Sequence, residues 1–261
     1  MPNALPKLNI VGLEISLGTF AEHLDRFVEF ATRRQSSYVV CVNSHMTVEA
    51  AQDAAFREVV NNADFATADG MPLLRAMQWS KYAKQERAAG NDLIFAVLKR
   101  ASENRLPIYF YGGCENVLNE ICIAAKASLP ELIIAGTESP PFRPLSDEEM
   151  DETASRINAS GAQIVMVSLG CPKQEKWMAR MAGKVNAIML GVGGAFLLYA
   201  GRDTRAPKWM RDLCMEWMYR LTLEPTRLWK RYFITNPVFA YLVLKDWLGQ
   251  SSAALDSNDP G

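Results

Sequence analysis

The chain has 261 residues, of which 49% are hydrophobic and 22% are charged, and its 28 Lys and Arg nearly balance 29 Asp and Glu. This composition is typical of a globular protein with a sizeable core, and it argues against a disordered chain and, at a net charge of −1, against a general nucleic-acid binder. Five scattered cysteines without Cys-x-x-Cys spacing and only two histidines disfavour a zinc site and favour a reducing, cytoplasmic setting.

Short apolar runs alternate with longer helical patterns along most of the chain. The predicted strands are 38–42, 65–68, 107–111, 132–135, 164–169 and 187–192. The predicted helices are 47–61, 72–78, 92–104, 116–127, 147–158 and 172–181. This alternation predicts an α/β protein with a Rossmann-like, mostly parallel sheet and helices on both faces, most clearly between residues 107 and 192.

The pattern becomes purely helical after Gly201. We therefore expect a core of residues 1–201, a helical appendage of residues 202–248, and a disordered tail of residues 249–261. The most apolar stretch of the appendage, residues 232–248, contains Asn236, Pro237, Lys245 and Asp246. It is too short and too polar to span a bilayer, but it could lie on a membrane surface. The N-terminus shows no basic region followed by an apolar core, so we expect no secretory signal.

Polar residues follow the first two predicted strands. Asn43 could cap the following helix or hydrogen-bond a ligand, and the spacing does not decide between these roles. His45 is expected to be an ordinary loop residue. Asp69 precedes Gly-x-Pro, so it could be an N-cap, or it could be a carboxylate suited to general base catalysis at the edge where ligands bind.

Glycines follow three other strands, at Gly112-Gly113, Gly170 and Gly191–Gly194. Glycine lets a backbone approach a phosphate group closely, and three such turns at one sheet edge favour a nucleotide-binding crevice. Because no Gly-x-Gly-x-x-Gly with a downstream acid is present, a nucleotide-dependent oxidoreductase is the weaker alternative. Gln174 and Glu175 could reach back to the ligand or simply form a solvated first helical turn.

Positive charge and aromatic rings are concentrated in the appendage. Residues 201–231 contain eight Lys and Arg against four Asp and Glu, which indicates a surface that meets an anion. The aromatic residues beside these charges could contact lipid headgroups or pack on the core, and the sequence leaves both roles open.

Several motifs occur together in a fixed order. They are Asn43, Ala-Asp-x4-Asp-Gly at 63–70, Gly-Asn-Asp at 90–92, Tyr-Gly-Gly at 111–113, Leu-Gly-x-Pro-Lys-Gln-Glu at 169–175, Gly-Val-Gly-Gly at 191–194, Arg-Ala-Pro-x-Trp at 205–209, Glu-Trp-x-Tyr-Arg at 216–220 and Glu-Pro-x-Arg at 224–227. With them the chain closely resembles the bacterial WecG/TagA/CpsF glycosyltransferases, family 26 of the glycosyltransferases, from about residue 9 to residue 239. Two positions depart from the common pattern: Cys41 replaces a frequent threonine, and Leu197 replaces an aspartate.

The resemblance implies an inverting enzyme at the cytoplasmic face of the plasma membrane. It would move a hexose or N-acetylhexosamine from a UDP-sugar, with UDP-N-acetylmannosamine, its uronic acid or UDP-glucose as candidate donors, to a polyprenyl-diphosphate-linked saccharide in exopolysaccharide or other cell-surface polysaccharide biosynthesis. No cofactor and no nucleic-acid partner are expected. The chain contains no Asp-x-Asp metal motif, so arginines would stabilise the departing diphosphate. The oligomeric state stays open.

The resemblance also implies roles for individual residues. The predicted catalytic residues are Asp69 as the base and Arg220, Arg227 and Arg231 at the diphosphate. The predicted substrate-binding residues are Cys41, Asn43, Asn91, Asp92, Gly112, Gly113, Gly170, Lys173, Gln174, Glu175, Gly193, Arg205 and Lys230.

Overall fold

The computed structural model describes residues 5–79, 85–213 and 215–256; the side chains of Arg227, Arg231 and residues 249–256 lie outside the description. The strands are β1 Lys7–Ile10, β2 Leu13–Ser16, β3 Ser37–Val42, β4 Phe65–Ala68, β5 Ile108–Gly112, β6 Ile134–Glu138, β7 Ile164–Ser168 and β8 Ile188–Gly191. The helices are α1 Phe20–Thr32, α2 Ser44–Gln52, α3 Ala54–Asn61, α4 Met71–Trp79, α5 Gly90–Glu103, α6 Glu115–Ser128, α7 Asp147–Ala159, α8 Lys173–Met181, α9 Ala195–Tyr199, α10 Lys208–Asp212, α11 Glu216–Leu223 and α12 Pro225–Asp256.

Six strands form one parallel sheet in the order β4-β3-β8-β7-β5-β6. Side chains alternate between its two faces, since Val40 and Val42 belong to one buried cluster whereas Val39 and Cys41 belong to the other. Both faces are therefore covered, which explains why the inner strands β3, β8, β7 and β5 are mostly apolar and buried. The predicted α/β class, with its mostly parallel sheet and helices on both faces, is confirmed.

The order of the strands places a crevice beside β3 and β8. The chain leaves β3 toward β4 on one side, whereas β8 approaches β3 from the β7 side. Such a reversal sends neighbouring loops in opposite directions at the carboxyl ends of the strands and leaves a space between them. The loops after β3, β4, β7 and β8 surround this space.

Several local predictions differ from the structure. The helix expected at 47–61 is two helices, because Asp53 adopts an extended conformation and its side chain caps α3 by accepting from the Phe56 N–H. The strand expected at 132–135 begins two residues later, at Ile134, because Leu132 lies in the preceding turn. The antiparallel hairpin β1–β2 and helix α1 were missed.

The signals for these missed elements are local turn and capping residues. Val11 and Gly12 both have positive φ and form the two-residue turn of the hairpin. Thr19 and Glu22 form a capping box at the start of α1.

Helix α12 carries the appendage back along the core. It packs on α2, buries Phe239 in the core cluster, and accepts a hydrogen bond at Asp246 Oδ2 from the Val11 N–H at 3.2 Å. The helix continues to Asp256, past residue 248, where the disordered tail was expected to begin. Ser-Ser-Ala-Ala-Leu at 251–255 contains strong helix formers and no Pro or Gly, so nothing in it stops the helix.

Candidate active site

Asn43 caps a helix and also contacts the candidate base. Its Oδ1 accepts hydrogen bonds from the His45 and Met46 N–H groups at the start of α2, at 3.1 and 3.2 Å. Its Nδ2 donates to Asp69 Oδ2 at 3.3 Å. The structure therefore shows the capping role, and because the cap uses the oxygen, it fixes the direction in which the amide nitrogen points toward Asp69. A hydrogen bond from Asn43 to a ligand stays a prediction.

Asp69 lies directly after β4, where its N–H donates to the carbonyl of Val42 at the end of β3. Loss of hydration on burial is the main cause that raises the pKa of its carboxyl group. The Arg87 guanidinium and the Asn43 hydrogen bond oppose this shift, Glu216 adds to it, and Arg220 opposes it. A half-buried carboxylate with a raised pKa is a stronger base than an exposed one, which suits it to accept a proton from a hydroxyl group.

A cavity of about 310 Å³ opens beside Asp69. Its wall is formed by the loops after four strands on one side and by the appendage on the other. Nine predicted site residues line it: Cys41, Asn43, Asp69, Asn91, Gly170, Gln174, Glu175, Gly193 and Arg220. The appendage also contributes Trp217 and Tyr232, whose rings lie 5.8 Å apart. The cavity volume is at the lower end of the range for small-molecule sites.

The Gly112-Gly113 turn is used by the sheet. Gly112 has φ +104, and a Cβ there would lie 2.7 Å from the Ser168 carbonyl carbon. The Gly113 N–H donates to the Ser168 carbonyl at 3.1 Å, and the Gly113 carbonyl accepts from Ser139 Oγ at 2.7 Å. Close packing of β5 against β7 therefore accounts for these glycines without a ligand, and neither residue lines the cavity.

Gln174 and Glu175 begin α8 and are buried. Gln174 Nε2 donates to Glu175 Oε1 at 2.8 Å, so the Gln174 amide nitrogen is occupied. Burial raises the pKa of the Glu175 carboxyl, and no Lys or Arg within the described ranges forms an ion pair with it. Burial without a paired cation disfavours the charged form of this carboxyl. Cys41 is buried near the carboxyl groups of Asp69 and Glu175. Loss of hydration is the main cause that raises the pKa of its thiol, which disfavours the thiolate form that a nucleophile needs.

Charged residues join the core to the appendage. Arg205 forms an ion pair with Asp92, and Arg87 lies between Asp92 Oδ2 at 3.5 Å and Glu216 Oε2 at 3.2 Å. Asp92 and Arg205 do not line the cavity, although both were predicted to bind substrate. Their pairing holds the start of the appendage against α5.

Three charged residues of this region were not predicted as site residues: Arg87, Arg211 and Glu216. Arg211 and Glu216 line the cavity, and Arg87 is close enough to Asp69 to influence its pKa. The local excess of Lys and Arg was a signal for Arg211. Arg87 lies in no motif whose spacing suggests chemistry, so only the folded structure brings it to the site.

Two other predicted residues, Lys173 and Lys230, are not among the residues that line the cavity. Lys173 is exposed outside the cavity, and Lys230 Nζ lies 5.7 Å from the centre of the Trp229 ring. The backbones of Arg227 and Arg231 belong to α12, but their side chains lie outside the described residues.

The appendage exposes large apolar side chains on the surface away from the core. Leu228 is buried, whereas Trp229, Phe233 and Trp247 are about half exposed or more. Among the described residues, no helix combines the length and the apolar character needed to cross a bilayer.

The comparison with known families agrees with this geometry. A model of the Glycosyl transferase WecG/TagA/CpsF family matches residues 8–253, nearly the whole chain, including every strand exit at the cavity and the helices α10 and α11. This match supports group transfer over the oxidoreductase alternative. The chain belongs to the WecG/TagA/CpsF glycosyltransferase family and is a glycosyltransferase of cell-surface polysaccharide biosynthesis.

Proposed function

We propose that this enzyme transfers a hexose or N-acetylhexosamine from a UDP-sugar to a polyprenyl-diphosphate-linked saccharide, with inversion at the anomeric carbon. The observation that carries the proposal is the position of Asp69. Its carboxylate lines a cavity between the core and arginines of the appendage, and the Asn43 amide orients it.

The proposed reaction is a single displacement. Asp69 accepts the proton of the acceptor hydroxyl group as the oxygen attacks the anomeric carbon. The bond from that carbon to the diphosphate oxygen breaks, and UDP leaves with the bonding electrons. Inversion follows because the nucleophile and the leaving group occupy opposite faces of the sugar.

The cations at the cavity suit the leaving group. Arg211 and Arg220 line the cavity, and Arg87 lies between Asp92 and Glu216 beside it. Guanidinium groups form paired hydrogen bonds with phosphate oxygens, and donors fixed where charge develops lower the activation barrier. We assign Arg227 and Arg231 to the same task on the basis of the family resemblance.

We further propose that the appendage keeps the enzyme at the cytoplasmic face of the membrane. The exposed rings of Trp229, Phe233 and Trp247 and the neighbouring basic residues suit the headgroup region. A lipid-linked acceptor requires the active site to work at this surface.

A transfer assay with a panel of donors tests the function. UDP-N-acetylmannosamine, UDP-N-acetylmannosaminuronic acid and UDP-glucose are each incubated with a short-chain polyprenyl-diphosphate saccharide, and products are identified by mass spectrometry and NMR. We expect one donor to yield a glycosylated lipid with the opposite anomeric configuration. Retained configuration would refute the single displacement. Absence of transfer from all three donors, with the enzyme folded, would refute the proposed donor set.

A further inference from the structure

Glu216 occupies an unusual position for an acid in a site that binds a diphosphate. It is the first residue of α11, and its side chain lines the cavity. Its Oε2 lies 3.2 Å from Arg87 Nη1, and its Oε1 lies 3.9 Å from Arg220 Nε. One carboxylate is therefore shared between a guanidinium group of the core and one of the appendage.

Two acids, Asp92 and Glu216, pair with the arginines of this region, and they differ in their access to the cavity. Asp92 pairs with Arg87 and Arg205 but does not line the cavity, so a ligand there leaves this acid in place. Glu216 lines the cavity and is close enough to Asp69 for its charge to act on that carboxyl. An anion bound beside the candidate base would meet the negative charge of Glu216 directly.

We propose that Glu216 is a resident counter-anion that holds Arg87 and Arg220 in the ligand-free enzyme and gives them up to the diphosphate of the donor. The inference rests on the proposed function, since it requires a nucleoside diphosphate donor. A diphosphate offers more acceptor oxygens and more charge than one carboxylate. It therefore competes with Glu216 for Arg220, which lines the cavity, and for Arg87, whose guanidinium group lies 3.2 Å from the cavity-lining Glu216.

The arrangement has a clear physical benefit in the absence of donor. The Arg87 side chain is only 13% exposed and that of Arg220 is 41% exposed, so Arg87 in particular would be poorly solvated without a counter-charge. Glu216 keeps both guanidinium groups paired. The consequence is competition: binding of the donor breaks two ion pairs and places a like charge beside Glu216, which weakens the affinity for the diphosphate.

The variant Glu216→Gln tests this competition because it keeps the size of the side chain and removes its charge. We expect UDP and inorganic pyrophosphate to bind about two- to fivefold more tightly to this variant than to the wild type. Uridine, which lacks the diphosphate, should bind equally to both proteins. The gain for UDP should shrink as salt is raised, since the interaction is electrostatic.

The control Glu103→Gln removes the same charge from the end of α5, where Glu103 pairs only weakly with Lys99 at 3.9 Å. It should leave all three affinities unchanged, and calorimetry measures them.

Equal or weaker binding of UDP to Glu216→Gln would overturn the inference, because Glu216 would then position the arginines rather than compete for them. If thermal unfolding shows that Glu216→Gln is not folded, Glu216→Asp, whose shorter side chain draws the charge back, must bind UDP more tightly than the wild type. A wild-type enzyme that binds no UDP would instead refute the proposed function.

Discussion

Gly112→Ala is expected to destabilise the protein much more than Gly113→Ala, although the two glycines are neighbours with positive φ. At Gly112 the added Cβ would lie 2.7 Å from the Ser168 carbonyl carbon and closer still to its oxygen. Both atoms are backbone atoms of β7, so β5 and β7 must separate to admit the methyl group. At Gly113 the nearest atoms are side-chain carbons of Phe196 and Val117, 3.8 and 3.9 Å away.

The magnitudes follow from two costs. An L residue with positive φ costs about 1–2 kcal/mol at either position. Overpacking at Gly112 adds about 1–3 kcal/mol, so we expect Gly112→Ala to lose about 2–5 kcal/mol and Gly113→Ala about 1–2 kcal/mol. Urea denaturation measures both free energies of unfolding. Equal losses would refute the argument that strand packing, rather than a bound phosphate, requires glycine at position 112.

Two other changes test the buried acid and the exposed rings. The pKa of Glu175 is raised in the folded protein, so the wild type loses stability relative to Glu175→Gln as pH rises above the unfolded value of about 4. Thermal unfolding followed upward from about pH 4 should show a widening gap in stability between the two proteins. A gap that stays constant with pH would contradict the raised pKa. The double variant Trp229→Ala/Phe233→Ala should bind less to vesicles that contain anionic lipid, at an unchanged unfolding temperature. The control Leu228→Ala, at a buried position, should instead lose about 2–5 kcal/mol of stability. Unaltered vesicle binding by the double variant would show that these rings do not contact the membrane.

Much of the site could be predicted because parallel strands end at a common edge. Asn43 and Asp69 are 26 residues apart, yet they come into contact because β3 and β4 are neighbours in the sheet. The sequence shows both strands as apolar runs, and it shows the polar residues that follow them. The proximity of Asn43 and Asp69 could therefore be predicted from the sequence.

The contacts between the core and the appendage could not be predicted in this way. Arg87 and Glu216 are 129 residues apart, and their pairing depends on how α11 packs against the loop before α5. No period or spacing in the sequence specifies that packing. The same limit applies to the ion pair between Asp92 and Arg205, which no spacing in the sequence specifies.

The glycine turns illustrate a different limit. Gly112 and Gly193 both follow strands, and the sequence alone does not separate a glycine that approaches a phosphate from one that approaches a neighbouring strand. The Gly193 N–H donates to the Val167 carbonyl, and its carbonyl accepts from Ser168 Oγ at 2.8 Å, yet Gly193 also lines the cavity. Only three-dimensional neighbours distinguish the two glycines.

The turnover of Asp69→Asn tests the central claim most directly, because Asn keeps the shape of the side chain and cannot accept the proton. A positioned base contributes on the order of 10²–10⁴-fold, so kcat/KM should fall by about that factor while UDP affinity and the unfolding temperature are maintained. Asp53→Asn is the matched control: it lies at an exposed N-cap, where Asn caps equally well, and it should retain full activity. If Asp69→Asn retains turnover within about threefold of the wild type, the loss is far smaller than the factor that a base contributes, and the proposed role of Asp69 is contradicted.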